Sequence, residues 1–151
     1  KESFFAKGAG VRAITGGLLI GVATLVAFYM GLREFGYHLG AHDISTDAMT
    51  YARTMAFVVL AASQLLYSFT MRSTTKSIFQ VGLLSNLYLV GAVVLGFILQ
   101  FAVITIPFLA SAFKVHNLSF SDWGLVFLLA LIPLTVNELI KLFGRISSAR
   151  Q

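Results

Sequence analysis

Four long apolar runs, broken only by short charged segments, constrain this chain more than any other feature. Residues 13–32, 54–71 and 87–106 carry no charged side chain. The fourth run, 123–143, carries only Glu138 and Lys141, both close to its end. A helix needs about twenty apolar residues to cross hydrocarbon roughly 30 Å thick, and each run is near that length. Inside hydrocarbon the backbone has no water to bond, so a spanning segment must satisfy its own N–H and C=O groups, as a helix does. With their polar flanks, the runs predict four transmembrane helices at about 13–32, 50–71, 86–106 and 122–143. The expected fold is an all-α membrane protein with antiparallel neighbours, a single transmembrane domain over 1–151.

Charge supports that reading and sets an orientation. The chain is 58 % hydrophobic and 11 % charged, whereas a soluble domain is about a quarter charged. Its formal charge is +5, but the basic residues stand singly between apolar runs and form no polar face, which argues against nucleic acid. Cysteine is absent, so no disulfide framework or thiolate metal site is available. Four spans place both ends on one side. Lys1, Lys7, Arg12, Arg72, Lys76, Lys141, Arg145 and Arg150 fall on that side, against Arg33, Arg53 and Lys114 on the other. The bias puts both termini and the 72–85 segment in the cytoplasm. The start at Lys1-Glu2-Ser3, without a methionine, suggests a fragment or a processed product.

Polar and small residues inside the spans are the candidates for function. Gln64 sits near the middle of the second span, and an amide at membrane depth is expensive unless partnered. It either hydrogen-bonds a neighbouring helix or lines a polar path. Gln64, Tyr67, Ser68 and Met71 share one helical face, expected to turn toward protein. Gln100, deep in the third span, reads as a helix–helix hydrogen bond. Gly17 and Gly21 form a GxxxG, and Ala92 with Gly96 repeats the small-residue spacing that lets helices approach closely. Pro133 cannot donate to the carbonyl of Leu129, which predicts a kink in the fourth span. Asn137 and Glu138 follow, with Glu138 three residues before Lys141 and in reach of an ion pair near the membrane face.

The loops add less. His38 and His42 are four apart, a spacing metal ligands use on a helix, but Gly36 and Gly40 argue against a helix there, and nothing completes a coordination set. Thr46-Asp47 is expected to open the second helix, with Tyr51 at the interface, and Ser85-Asn86 the third. Pro107 is expected to close the third span, and 108–121 to be a loop. Ser121-Asp122 is expected to cap the fourth helix beside an interfacial Trp123. Ile78 and Phe79 are expected to anchor the 72–85 segment on the bilayer surface. No Walker A, HExxH, GxSxG or dinucleotide glycine pattern is present, so catalytic and cofactor-binding residues are not expected in this stretch.

One series of residues resembles a known family. Thr54-Met55-Ala56-Phe57 runs to Gln64-Leu65, then to Arg72-Ser73, Lys76-Ser77-Ile78-Phe79, Gly82 and Asn86. Ile106-Pro107-Phe108-Leu109 ends the third span, and Pro133, Asn137-Glu138 and Lys141 the fourth. In this order they resemble the last four spans, seventh to tenth, of P-type calcium-transporting ATPases, nearest to bacterial and secretory-pathway members. The resemblance implies a parent pump that uses ATP and Mg²⁺, is phosphorylated on an aspartate outside this stretch, and exports Ca²⁺. It implies as partners the lipid bilayer and the parent's first six spans and cytoplasmic domains, in the plasma membrane of a bacterium. It also implies that Gln64 stands where two-site calcium pumps carry an acidic ligand. An amide offers a carbonyl oxygen but no charge, so one Ca²⁺ per cycle is expected. The alternatives are a free-standing four-span transporter and a membrane assembly subunit. A proton-coupled transporter would be expected to hold an acid deep in a span, and Glu138 lies near the end of its own.

Overall fold

A computed structural model describes residues 9–38, 40–73 and 76–148. Among them the elements are α1 (Ala9–Glu34), α2 (Thr46–Thr70), α3 (Ile78–Val81), a 3₁₀ turn (Leu83–Ser85), α4 (Leu87–Thr105), α5 (Pro107–Phe113) and α6 (Phe120–Ser148). Four of these, α1, α2, α4 and α6, are long and apolar enough to cross a membrane. The chain is an integral membrane protein built only of helices among the described residues. Its long helices begin and end within a few residues of the expected spans: α1 and α2 each start four residues earlier, and α6 runs five further.

Helix starts follow from side chains that satisfy the first free N–H groups. Ser45 accepts from Ala48 N ahead of α2, and Asn86 accepts from Leu89 N ahead of α4. The fourth helix starts earlier than expected. Ser119, rather than Ser121-Asp122, caps it by accepting from Asp122 N at 3.2 Å, while its hydroxyl donates to the Asp122 carboxylate. The expected 108–121 loop is also partly wrong. Pro107 ends α4 but occupies the first turn of α5, where a missing N–H is harmless and its fixed φ suits a helix. Lys114, left-handed at φ 52°, then terminates α5. α6 continues through Pro133, which is fully buried.

α2 is the hub, packing against α1, α4 and α6. Sequence neighbours run antiparallel: Tyr67 near the end of α2 meets Arg12 near the start of α1, and from Gly96 to Gln100 along α4 the partners on α2 run back from Leu65 to Val58. α2 and α6 run parallel, since Tyr51 meets Asp122 at one end and Thr70 meets Lys141 at the other. The two ties are about nineteen residues apart along each helix, or roughly 28 Å at 1.5 Å per residue, close to the hydrocarbon thickness. Ala23, Ala27, Met55, Val58, Val59, Val126 and Leu129 fill the core between α1, α2 and α6. Apolar burial gives little drive between helices already in lipid, so close packing and interhelical hydrogen bonds hold such a bundle.

The α1–α2 seam uses different glycines from those the GxxxG suggested. Gly16, Ile20, Ala23, Ala27 and Gly31 form the buried stripe of α1. A Cβ on Gly31 would lie 2.6 Å from Ala52 Cα, and one on Gly16 would lie 2.2 Å from the Tyr67 hydroxyl. A Cβ on Gly17 or Gly21 would meet nothing from another element of the described residues within 4 Å. They lie among exposed Ile14, Leu18, Val22 and Leu25 on the outward face of α1. A shift of one residue turns a helix by about 100°, which separates the two stripes.

Candidate functional site

Two polar clusters and one open groove hold most of the polar side chains at membrane depth. The cluster at the start of α6 joins Tyr51, Ser119 and Asp122. Tyr51 and Ser119 both donate to Oδ2 of Asp122, which is buried. Tyr51 also packs edge-on against Phe35 and His116. Expected at the membrane interface, it is also a buried tie between α2 and α6. Beside it Thr54 Oγ1 accepts from His116 N at 2.8 Å and donates to Thr50 O, fastening the chain after α5 onto α2.

The cluster at the opposite end centres on Thr70. Its hydroxyl donates to Glu138 Oε1 at 2.5 Å and accepts from Asn137 Nδ2 at 2.8 Å and Lys141 Nζ at 2.9 Å. Lys141 pairs with Glu138 at 2.8 Å and also donates to the carbonyl of Thr70 at 2.7 Å. That carbonyl is among the last of α2, which lack helical partners, and a cation there also suits the helix dipole. The second Glu138 oxygen accepts from Ile78 N at 3.0 Å. The pair expected at the membrane face is therefore present, and it also joins α2, α6 and the start of α3. The Lys141 side chain is 1 % exposed, so this is a buried pair, in which both charges need their hydrogen bonds. Ile78, expected at the bilayer surface, is buried beneath this cluster, while Phe79 is 83 % exposed.

The groove lies between α2 and α4 and holds about 520 Å³. Ala61, Gln64 and Ser68 line it from α2, and Ala92, Gly96 and Gln100 from α4. Gln100 is the helix–helix bond: its amide donates to Val58 O at 2.8 Å, and its buried oxygen makes no hydrogen bond among the described residues. Gln64 is exposed in the groove and makes no side-chain hydrogen bond among the described residues. The face expected to group Gln64, Tyr67, Ser68 and Met71 divides. Tyr67 is buried and donates to Arg12 O, Gln64 and Ser68 line the groove, and Met71 is exposed. At Gly96 a Cβ would sit 2.8 Å from a methyl of Leu65, so this glycine allows α4 to approach α2.

Among the described residues no three His, Asp or Glu side chains converge on one point. His38 and His42 are exposed in the loop after α1, either side of Gly40 at φ 86°. A Ca²⁺ ion takes six to eight oxygens. Gln64 offers one, so it could only complete a set supplied by other helices.

Comparison with known proteins shows what bundle this is. Residues 1–143 match the family described as cation transporting ATPase, C-terminus. The chain belongs to this family. Among its relatives, calcium-transporting ATPase 1 of Bacillus cereus is 47 % identical over 147 residues, 94 % of this chain and 16 % of that protein. A calcium-transporting ATPase of Bacillus subtilis is 37 % identical over 133 residues, 88 % of this chain and 14 % of that protein. A Listeria monocytogenes calcium-transporting ATPase is 31 % identical over 93 % of this chain and 14 % of its own length. The chain thus spans only 14–16 % of the length of these relatives. The family match identifies the chain as the C-terminal region of a cation transporting ATPase, and its four long apolar helices make that region a membrane-spanning bundle.

Proposed function

We propose that this chain is the carboxy-terminal, single-domain membrane bundle of an ATP-driven Ca²⁺ export pump in a bacterial plasma membrane. The observation that carries the reading is the family match across 1–143, joined to relatives whose names describe calcium-transporting ATPases. In this reading both termini and the 72–85 segment are cytoplasmic. ATP, Mg²⁺ and the phosphorylated aspartate belong to the missing part of the parent, and Ca²⁺ is its cargo. The two polar clusters and the Gly16–Gly31 seam keep α1, α2 and α6 rigid, so that they scaffold the parent's ion-binding helices. Gly17 and Gly21, open on the outer face of α1, receive one of those helices closely.

Gln64 is the ion-path residue in this account. Its exposure in the α2–α4 groove supports the assignment, and Gln100 already supplies the helix–helix bond that Gln64 would otherwise make. A single neutral oxygen fits a pump that carries one Ca²⁺ per cycle. The full reading frame, expressed and assayed as ATP-driven ⁴⁵Ca²⁺ uptake into inverted membrane vesicles, tests the function. Uptake that needs both ATP and the phosphorylated aspartate is expected. Uptake no greater than in vesicles lacking the protein would overturn the reading.

A further inference from the structure

A second groove lies at the Lys141 end of the bundle, between the segment after α2 and α6, with a volume of about 640 Å³. Ile78, Phe79 and Leu83 wall one side, and Leu134, Leu139 and Leu142 the other. From Leu134 to Leu142 is roughly 12 Å along α6. The polar groups lining the groove are already satisfied. Thr135 bonds back to Leu131 and Ile132 carbonyls, and both Glu138 oxygens are taken by Thr70, Lys141 and Ile78 N. The Glu138 charge is neutralised by buried Lys141 and offers no repulsion to an anion at the groove.

The surroundings favour an anion at the membrane interface. Residues 72–86 contain Arg72 and Lys76 and no acid. Arg72 is tied inward, donating to Gly82 O and Ser85 Oγ. Lys76 is exposed, adjoins groove-lining Ser77, and its ammonium has no partner among the described residues. Further along the same connection and into the first turn of α4, Phe79, Leu84, Leu87 and Tyr88 are 83 %, 71 %, 72 % and 94 % exposed. Apolar and aromatic side chains fully exposed at the end of a spanning helix belong in the headgroup region. A lysine there attracts anionic headgroups.

We propose that this groove binds one anionic phospholipid from the leaflet at the Lys76 end of the bundle. An acyl chain lies between Ile78, Leu83 and the α6 leucines, and the phosphate sits at Lys76. The site tethers the segment that Glu138 and Arg72 already hold, so lipid composition reaches the α2–α6 junction. The test uses the delipidated full-length pump, titrated with phosphatidylglycerol or phosphatidylethanolamine and read by native mass spectrometry. The tightest-bound lipid on the wild type is expected to favour phosphatidylglycerol about five-fold, the effect of one lysine near a headgroup. Lys76→Gln keeps a bound lipid and loses that preference. Leu139→Trp fills the groove from an exposed position and loses the tightest-bound lipid. A wild type that holds no tight lipid, because other protein fills the groove, overturns the proposal. So does a Leu139→Trp protein that binds as the wild type does, or a Lys76→Gln protein that keeps the preference.

Discussion

Replacing Lys141 by Met isolates what the buried pair contributes. The substitution conserves much of the side-chain length and removes the charge. Four contacts of the ammonium disappear: Glu138 at 2.8 Å, the Thr70 carbonyl at 2.7 Å, the Thr70 hydroxyl at 2.9 Å, and a longer one to Lys76 O at 3.4 Å. Glu138, only 14 % exposed at its side chain, is left charged among Thr70, Ile78 N and apolar walls. Removing one partner of a buried ion pair costs about 3–5 kcal/mol, most of it from the charge left behind. Lys141→Met/Glu138→Gln removes that stranded charge, and the Gln oxygen can still accept from Ile78 N. The double variant is expected to retain a cost of about 1–2 kcal/mol, from the lost bonds at the end of α2. Large membrane pumps unfold irreversibly, so the assay is the rate of thermal loss of folded, monodisperse full-length protein in detergent. Lys141→Met is expected to accelerate that loss on the order of a hundredfold, with the double variant recovering most of the difference. Equal rates for the single and double variants would show that the two charges are not coupled, and would refute the reasoning.

Four further outcomes follow from the packing and the charge pattern. Gly31→Leu is expected to lower the yield of folded protein, because its Cβ alone would overlap the Ala52 backbone. At Gly17 a Cβ meets nothing among the described residues, so a loss of turnover for Gly17→Leu in the full pump measures contact with a helix outside this bundle. Gln100→Leu removes the bond to Val58 O and is expected to cost about 1 kcal/mol, read as a modest fall in thermal midpoint with Ca²⁺ affinity unchanged; a changed affinity would instead place Gln100 on the ion path. Single cysteines at His42 and Lys76 set the orientation. An impermeant maleimide added to intact cells is expected to label the first and spare the second, and the reverse pattern would overturn the topology.

The spans were legible because charge is excluded from hydrocarbon whatever the neighbours do. Lateral pairing was less legible, because a helix's propensity and length do not state which face meets which partner. The GxxxG of Gly17 and Gly21 stood out by its spacing, yet Gly16 and Gly31, fifteen positions apart and interleaved with Ala23 and Ala27, make the α1–α2 seam. The signal that could have found it was the stripe of small residues at three- and four-residue steps. Tyr51 read as an interfacial aromatic because Asp122, its partner, lies 71 residues away. Pro107 read as a stop, and the sequence did not reveal that it also opens α5. Glu138 and Lys141 were legible as a pair, since three residues separate them on one helix. Thr70, the hub of that cluster, carried no visible signal, being one hydroxyl among several at the end of α2.

Gln64 is where the account of function is most exposed to test. The measurement is the Ca²⁺ dependence of ATP hydrolysis by the full-length pump, with expression as a control, in Gln64→Leu and Gln64→Glu. If Gln64 lends an oxygen to the ion path, Leu weakens Ca²⁺ affinity, and Glu shifts it by adding a charge beside the cation. Contact with lipid or a neighbouring helix alone would change stability and leave the Ca²⁺ dependence in place. The account predicts altered Ca²⁺ affinity in both variants at normal expression, and unchanged affinity in both would contradict it.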